Sequence, residues 1–191
     1  TTSSAASDVY KRQSNYLVQP STTAPGTGDF SITCWIKPGT LNSGTGNYVH
    51  LFSLGTDTTG GQGRSTGFTV KITTHTGGNA NGYSPYIFNG DGGTNQGTYD
   101  TSKYIPLGKW SQLVAMRRGG VAYIYHDGEL MTTGNSWTTN LTDTYITVFR
   151  GIGYNEYGGD AKFALLRYST SAPTAEQVSK MYHDERCLFQ E

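Results

Sequence analysis

The residues best suited to chemistry in this chain are tyrosines set among amides, carboxylates and glycines. Residues 151–160, GIGYNEYGGD, hold Tyr154, Asn155, Glu156, Tyr157 and Asp160 together with four glycines. Residues 85–100 carry a second group: Tyr86, Asn89, Asp91, Asn95, Tyr99 and Asp100. An aromatic ring offers apolar area to the C–H face of a sugar, and neighbouring polar groups fix its orientation. Tyr154, Asn155, Tyr157 and Asp160, with Tyr86 and Tyr99, are therefore the candidate ligand-binding residues. The bland alternative is turn chemistry, since Asn-Gly-Asp-Gly is an ordinary turn sequence. Hydrolytic chemistry has thinner support. Glycoside cleavage needs two carboxyl groups ~5–9.5 Å apart. The five glutamates are Glu129, Glu156, Glu176, Glu185 and Glu191, and none shares a strand with another. The four histidines show no metal-ligand spacing, and no Gly-x-Ser-x-Gly elbow or phosphate loop is present. The expectation is a protein that is not an enzyme.

Strands must position these loops. In GDFSITCWIKPG, Phe30, Ile32, Cys34 and Ile36 alternate with Ser31, Thr33, Trp35 and Lys37. This period of two defines a strand, closed by Pro38-Gly39. Similar patterns cover 48–55, 67–76, 83–88, 110–118, 121–126, 129–133, 143–151 and 161–169, so about nine strands are expected. Pro85 marks 83–88 as an edge strand. Gly119-Gly120 and Asp127-Gly128 are hairpin turns. The predicted core between two sheets comprises Phe30, Ile32, Ile36, Val70, Ile72, Leu113, Tyr123, Tyr125, Val148 and Phe163, with Trp35 and Trp110 mostly buried. One helix is expected, from Pro173 to Arg186. Thr174 and Gln177 have capping-box spacing, and Ala175, Val178, Met181 and Tyr182 follow helical periodicity. Cys187, Leu188 and Phe189 should tuck against the sandwich. The fold class is all-β: a two-sheet antiparallel jelly-roll sandwich with one short C-terminal helix.

Composition agrees. The chain has 191 residues, enough for one domain with a substantial core. Fourteen Lys and Arg balance 14 Asp and Glu, and charged residues are only 15%. Nucleic acid is thereby disfavoured as a partner, because phosphate binding needs a positive excess. No apolar run approaches the ~20 residues of a membrane helix, so no membrane insertion is expected. Twenty-six glycines and 14 tyrosines suit a β-rich, turn-rich protein. Cys34 and Cys187 can pair once, or remain as one buried and one tail thiol.

Trp110, Leu113-Val114, Tyr125, Asp127 and Gly128 fill the places of a Trp, an apolar pair, a hairpin and Tyr-x-Asp-Gly. That stretch, and DFSITCWIKPG with Trp35, resemble the laminin-G-like, concanavalin-A-like jelly-roll family over residues 14–185. The ending APTAEQVSKMYHDERCLFQ resembles the helix that closes laminin-G-like domains of bacteriophage virion proteins. The resemblance implies a non-catalytic virion domain, a fibre or surface decoration element, whose partner is a host-surface glycan or another virion protein. It further implies a virion location and a homo-oligomeric or multicopy assembly, with the chain cut from a longer fibre protein. The alternative is a secreted or cell-surface bacterial lectin-like carbohydrate-binding module. Hydrolases of this fold carry a Glu-x-Asp-x-Glu strand, which this sequence lacks. Calcium is the family's recurrent cofactor, and Asn89, Asp91 and Asn95, with Asp57, are the oxygen donors that offer themselves as metal ligands. Residues 3–13, SSAASDVYKRQ, resemble one reading frame of a transposase sequencing adapter. Residues 1–13 are accordingly expected to be a non-native, disordered tail, with the domain spanning 14–191. Binding is expected at the rim loops, 151–160 first, rather than on a sheet face.

Overall fold

The computed structural model describes residues 17–19, 22–39, 48–55, 67–73, 82–89, 96–100, 102–148 and 161–189. The tail 1–13 lies outside them. Twelve strands are described: β1 (Leu17–Gln19), β2 (Phe30–Pro38), β3 (Tyr48–Leu54), β4 (Phe68–Thr73), β5 (Gly82–Asn89), β6 (Gln96–Tyr99), β7 (Ile105–Pro106), β8 (Ser111–Arg118), β9 (Val121–His126), β10 (Glu129–Ser136), β11 (Ile146–Val148) and β12 (Ala161–Ser169). A helix, α1 (Ala175–Glu185), and one 3₁₀ turn follow. The seven-stranded sheet runs β1-β11-β3-β4-β5-β6, with β7 also on β5, and the five-stranded sheet runs β10-β9-β8-β2-β12. Every pairing is antiparallel. The chain is the all-β sandwich with one C-terminal helix that its alternation foretells.

Both predicted hairpin turns are present. Gly119 and Gly120 have φ of 57° and 73°, and Asp127 and Gly128 have 51° and 82°. Two successive positive φ values match the right-handed twist of the flanking strands. The Asp127 carboxylate also accepts the Gln112 backbone N–H at 2.7 Å. Pro85 does not make β5 an edge. On one side β5 pairs with β4; on the other it pairs with β7 at Gly82 and Tyr83 and with β6 from Tyr86 to Asn89. Pro85 lies in the gap between those two partners, where a missing N–H breaks no ladder on that side.

Phe30, Ile32, Ile36, Val70, Ile72, Leu113, Val148 and Phe163 all join the inter-sheet core. Tyr123 and Tyr125 do not. Ala122 and Ile124 take the inward positions of β9, and the tyrosines face outward, packed with Val114, Met116 and Val178 beneath α1. The period of two was read correctly, but a helix covers the second face and makes both phases apolar. Trp35 is buried on that outer face, stacked on Phe189 with centroids 4.3 Å apart. Trp110 is only partly buried, tilted against Phe189 at 5.0 Å. Of the tail, Phe189 packs inward while Cys187 and Leu188 stay exposed. Trp137, just beyond β10, is fully buried against Phe30 and Phe68.

The helix starts where expected. Gln177 N–H donates to the Thr174 hydroxyl at 3.2 Å, and Thr174 N–H donates back to Gln177 Oε1 at 2.8 Å. Its far end is tied to the sheet through Glu185. That carboxylate accepts the Trp35 indole N–H at 2.7 Å and pairs with the Arg167 guanidinium at 2.7 Å.

Candidate functional site

Among the predicted ligand residues, the structure brings Tyr86 and Tyr99 together. They stand directly opposite each other in the β5–β6 pairing, and Lys71 on β4 stands opposite Tyr86 on the other side. A row of three side chains therefore crosses three strands on the outer face of the seven-stranded sheet. The phase follows from the core: Val70, Ile72, Tyr83 and Ile87 point inward, so Lys71, Tyr86 and Phe88 point out. The Tyr86 and Tyr99 rings stack with centroids 4.7 Å apart and planes 8° from parallel. The Lys71 ammonium lies 5.6 Å from the centre of the Tyr86 ring and 4.8 Å from that of Phe88. Tyr99 is 58% exposed, so one ring face meets solvent while its partner backs it.

Backbone details hold the row in place. Gly97, at φ 146°, sits opposite Phe88, and a Cβ there would meet the Ile87 carbonyl oxygen at 2.1 Å. Only glycine fits so close a strand. Thr98, inward of Tyr99, shares a hydrogen bond with Thr132 of the opposite sheet at 3.1 Å. Beyond Tyr99, the Asp100 carboxylate accepts the Ser102 backbone N–H at 2.7 Å and its hydroxyl at 2.6 Å, which ends the strand.

This placement corrects the expectation that Tyr86 and Tyr99 sit in a rim loop. Residues 96–99 form a strand, and the pair lies on a sheet face. The sequence holds the signal, since Gln96 to Tyr99 follows a glycine-rich stretch, but four residues are too few for a period to register. Tyr154, Asn155, Tyr157 and Asp160 lie outside the described residues. So do Asp57, Asp91 and Asn95 of the calcium set. Asn89 is buried, and its Oδ1 takes a long hydrogen bond of 3.4 Å from the Thr139 hydroxyl. Among the described residues no three His, Cys, Asp or Glu side chains gather to hold a cation.

Burial shifts the pKa of three further groups. His126 Nε2 lies 3.5 Å from Asp127 Oδ2 beside a cleft of about 350 Å³ that Lys103, Tyr104 and Glu129 also line. Burial holds His126 below the usual histidine range, against the opposing pull of Asp127 and Glu129. Burial also raises Asp127, against His126 and the Gln112 N–H. Cys34 is buried and its thiol is pushed up to about 12 by loss of solvent; both cysteines are free thiols.

A two-sheet antiparallel jelly roll with an exposed aromatic row is a lectin-type sandwich. The chain belongs to the concanavalin A-like lectin/glucanases superfamily: the family model of that description, of the laminin G group, matches residues 11–179. No curated protein sequence matches the chain. Three solved structures share the fold. A heptameric SAP-like pentraxin from Limulus polyphemus is 16% identical, with TM-score 0.58, covering 90% of this chain and 83% of its own. Domain 4 of AbnA, an extracellular arabinanase from Geobacillus stearothermophilus determined with arabinotriose, is 14% identical, with TM-score 0.62, covering 92% and 76%. The botulinum neurotoxin type G receptor binding domain is 12% identical, with TM-score 0.61, covering 93% of this chain but 46% of its own. At these identities the likeness is one of fold.

Proposed function

We propose that this is a non-catalytic, glycan-binding domain of a bacteriophage particle, a fibre or decoration element displayed in many copies. The observation that carries the binding reading is the stacked Tyr86–Tyr99 pair with one ring open to solvent. A single ring platform of this kind takes the apolar face of a sugar, while the phenol hydroxyls and Lys71 meet its oxygens. The arabinotriose complex of a domain with this fold supports a glycan as ligand. The non-catalytic reading rests on the sequence, which lacks the Glu-x-Asp-x-Glu strand of hydrolases with this fold. The virion setting rests on the C-terminal resemblance to phage proteins.

One shallow site binds at about millimolar, roughly −4 kcal/mol. Display in many copies raises avidity by ~10²–10⁴. The experiment is a glycan array probed with the domain alone and with a multimerised form. The multimer should bind a defined glycan set that the monomer binds barely. Tyr99→Ala should remove most of that signal while changing stability by less than ~1 kcal/mol, because the ring is mostly exposed. Tyr154→Ala with Tyr157→Ala tests the loop 151–160 in the same format. An unchanged Tyr99→Ala signal would refute the tyrosine pair as the platform, and a multimer that binds no glycan would refute the glycan reading as a whole.

A further inference from the structure

We propose a second ligand site, for an acidic sugar residue, in the groove between α1 and strands β2 and β12. It lies on the opposite sheet from the tyrosine pair and does not depend on it. The groove has a volume of about 660 Å³, within the range of small-molecule clefts. Its floor is polar. Ser31 and Thr33 come from β2 and Ser169 from β12, with Ser31 donating to the Ser171 carbonyl and Ser169 hydrogen-bonded to the Ser171 hydroxyl, while Met181 of α1 forms an apolar wall and Lys180, paired at 2.7 Å with Asp184 of the same lining, stands at the lip. Thr33 is only 5% exposed, and among the described residues its hydroxyl has no hydrogen-bond partner. A hydroxyl so deep without a partner is an unsatisfied group aimed into the groove.

Arg167 supplies the charge, and a local irregularity puts it there. Along β12 the pairing runs Ala164 with Trp35 and then Arg167 with Thr33, so β12 holds one residue more than β2. The extra residue falls at Leu165, whose φ of 48° is rare for a residue with a side chain. Such a bulge reverses the strand's phase. Leu166 and Tyr168 thereby turn to the core, and Arg167 and Ser169 turn to the groove. Glu185 holds one end of the guanidinium, Nη1, at 2.7 Å and is itself fixed by Trp35. The Nε and Nη2 donors have no partner among the described residues. Two parallel N–H donors in a fixed plane match a carboxylate.

Each simpler ligand leaves something unmet. A neutral polyol would satisfy the hydroxyl floor but not the guanidinium edge. A bare anion would satisfy the guanidinium but not the buried Thr33 hydroxyl or the apolar Met181 wall. A pyranose carrying a carboxylate satisfies all three: the acid group on Arg167, a ring hydroxyl on Thr33, and a C–H face on Met181.

The chain has three methionines, and they make a direct test. Met181 lines the groove, Met131 is buried in the inter-sheet core, and Met116 is buried beneath α1, opposite Ser31 in the β2–β8 pairing. The protein labelled at its methionine methyl groups is titrated with glucuronate, glucose and sodium sulfate by NMR. Glucuronate should shift the Met181 signal most, leave Met131 unmoved and saturate in the millimolar range. Glucose and sulfate should act at least tenfold more weakly. Thr33→Val, which keeps shape and removes the hydroxyl, should weaken glucuronate several-fold. Arg167→Gln should abolish the response, with an unshifted Met131 signal reporting an intact fold; Arg167→Lys, which keeps charge but not the fork, should weaken it at least fivefold. Tyr99→Ala should change nothing, which separates this site from the one on the other sheet. The proposal is overturned if Met181 fails to respond in the unmodified protein, if sulfate or glucose acts as strongly as glucuronate, or if the arginine variants bind like the parent.

Discussion

Arg117 offers the sharpest test of how the sandwich is held shut. It lies on the inward phase of β8, in line with Leu113 and Ala115, yet it is a cation with no exposure. Nε donates to Gly28 O at 2.9 Å, Nη1 to Thr139 O at 2.8 Å, and Nη2 to Gly26 O at 2.6 Å and Gly28 O at 2.5 Å. The guanidinium also lies 5.2 Å from the Phe30 ring centre and 5.5 Å from that of Trp137. It thus joins residues 26–28 to Thr139, beside the Gly26–Leu141 bridge. Burial pulls its pKa below the usual arginine range, with Asp29 and Tyr168 opposing. Arg117→Met keeps the stem's packing and removes the donors. Hydrogen bonds to a charged group contribute roughly 1.5–3 kcal/mol each, and the released cost of burying the charge offsets part of the sum. The expected net loss is about 3 kcal/mol, since three carbonyls lose their donors. For a domain of this size that lowers Tm by about 6–12 °C. Arg117→Ala should lose about 1–2 kcal/mol more through the cavity left between the rings. Urea and thermal unfolding of parent and both variants measure this. An Arg117→Met protein within 1 kcal/mol of the parent would refute the clamp, and would mean that packing on Phe30 and Trp137 carries the residue's role.

Other consequences are open to direct measurement. Native protein treated with a thiol reagent at pH 8 should take one label, at exposed Cys187, and two after denaturation, because the buried Cys34 thiol stays protonated; mass spectrometry counts them. Stability should be full above the unfolded histidine value of about 6.5 and should fall as pH drops through it, since the unfolded chain takes up a proton that folded His126 resists. Asp127, raised in the fold, works in the opposite direction at lower pH. Urea midpoints from pH 7 to 5 should therefore be flatter in His126→Gln, and an unchanged slope would exclude His126 as the source. Thr174→Ala should lose about 1 kcal/mol with its capping box, read as a Tm drop of about 2–4 °C; no change would mean that α1 is held by its contacts with the sheet alone.

Much of this protein is legible in its sequence because the physics involved is local. Alternation over nine residues fixes β2 and which of its faces carries Phe30, Ile32 and Ile36. Asp127-Gly128 and Gly119-Gly120 fix two turns, because few other residue pairs tolerate two positive φ values. Thr174 and Gln177 fix where the helix begins, since the capping box closes within one turn. The tertiary structure decided what depends on partners distant along the chain. Tyr123 and Tyr125 face away from the inter-sheet core because α1, some 50 residues on, buries the second face of β9 and makes an outward tyrosine as favourable as an inward one. Arg117 is inside because carbonyls of Gly26, Gly28 and Thr139 converge on it, and no pattern along β8 announces them. The inserted residue at Leu165 reverses β12 and sends Arg167 outward, which alternation cannot reveal when two leucines adjoin. Tyr86 and Tyr99 stand thirteen residues apart in the chain, and only the β5–β6 register makes them one surface.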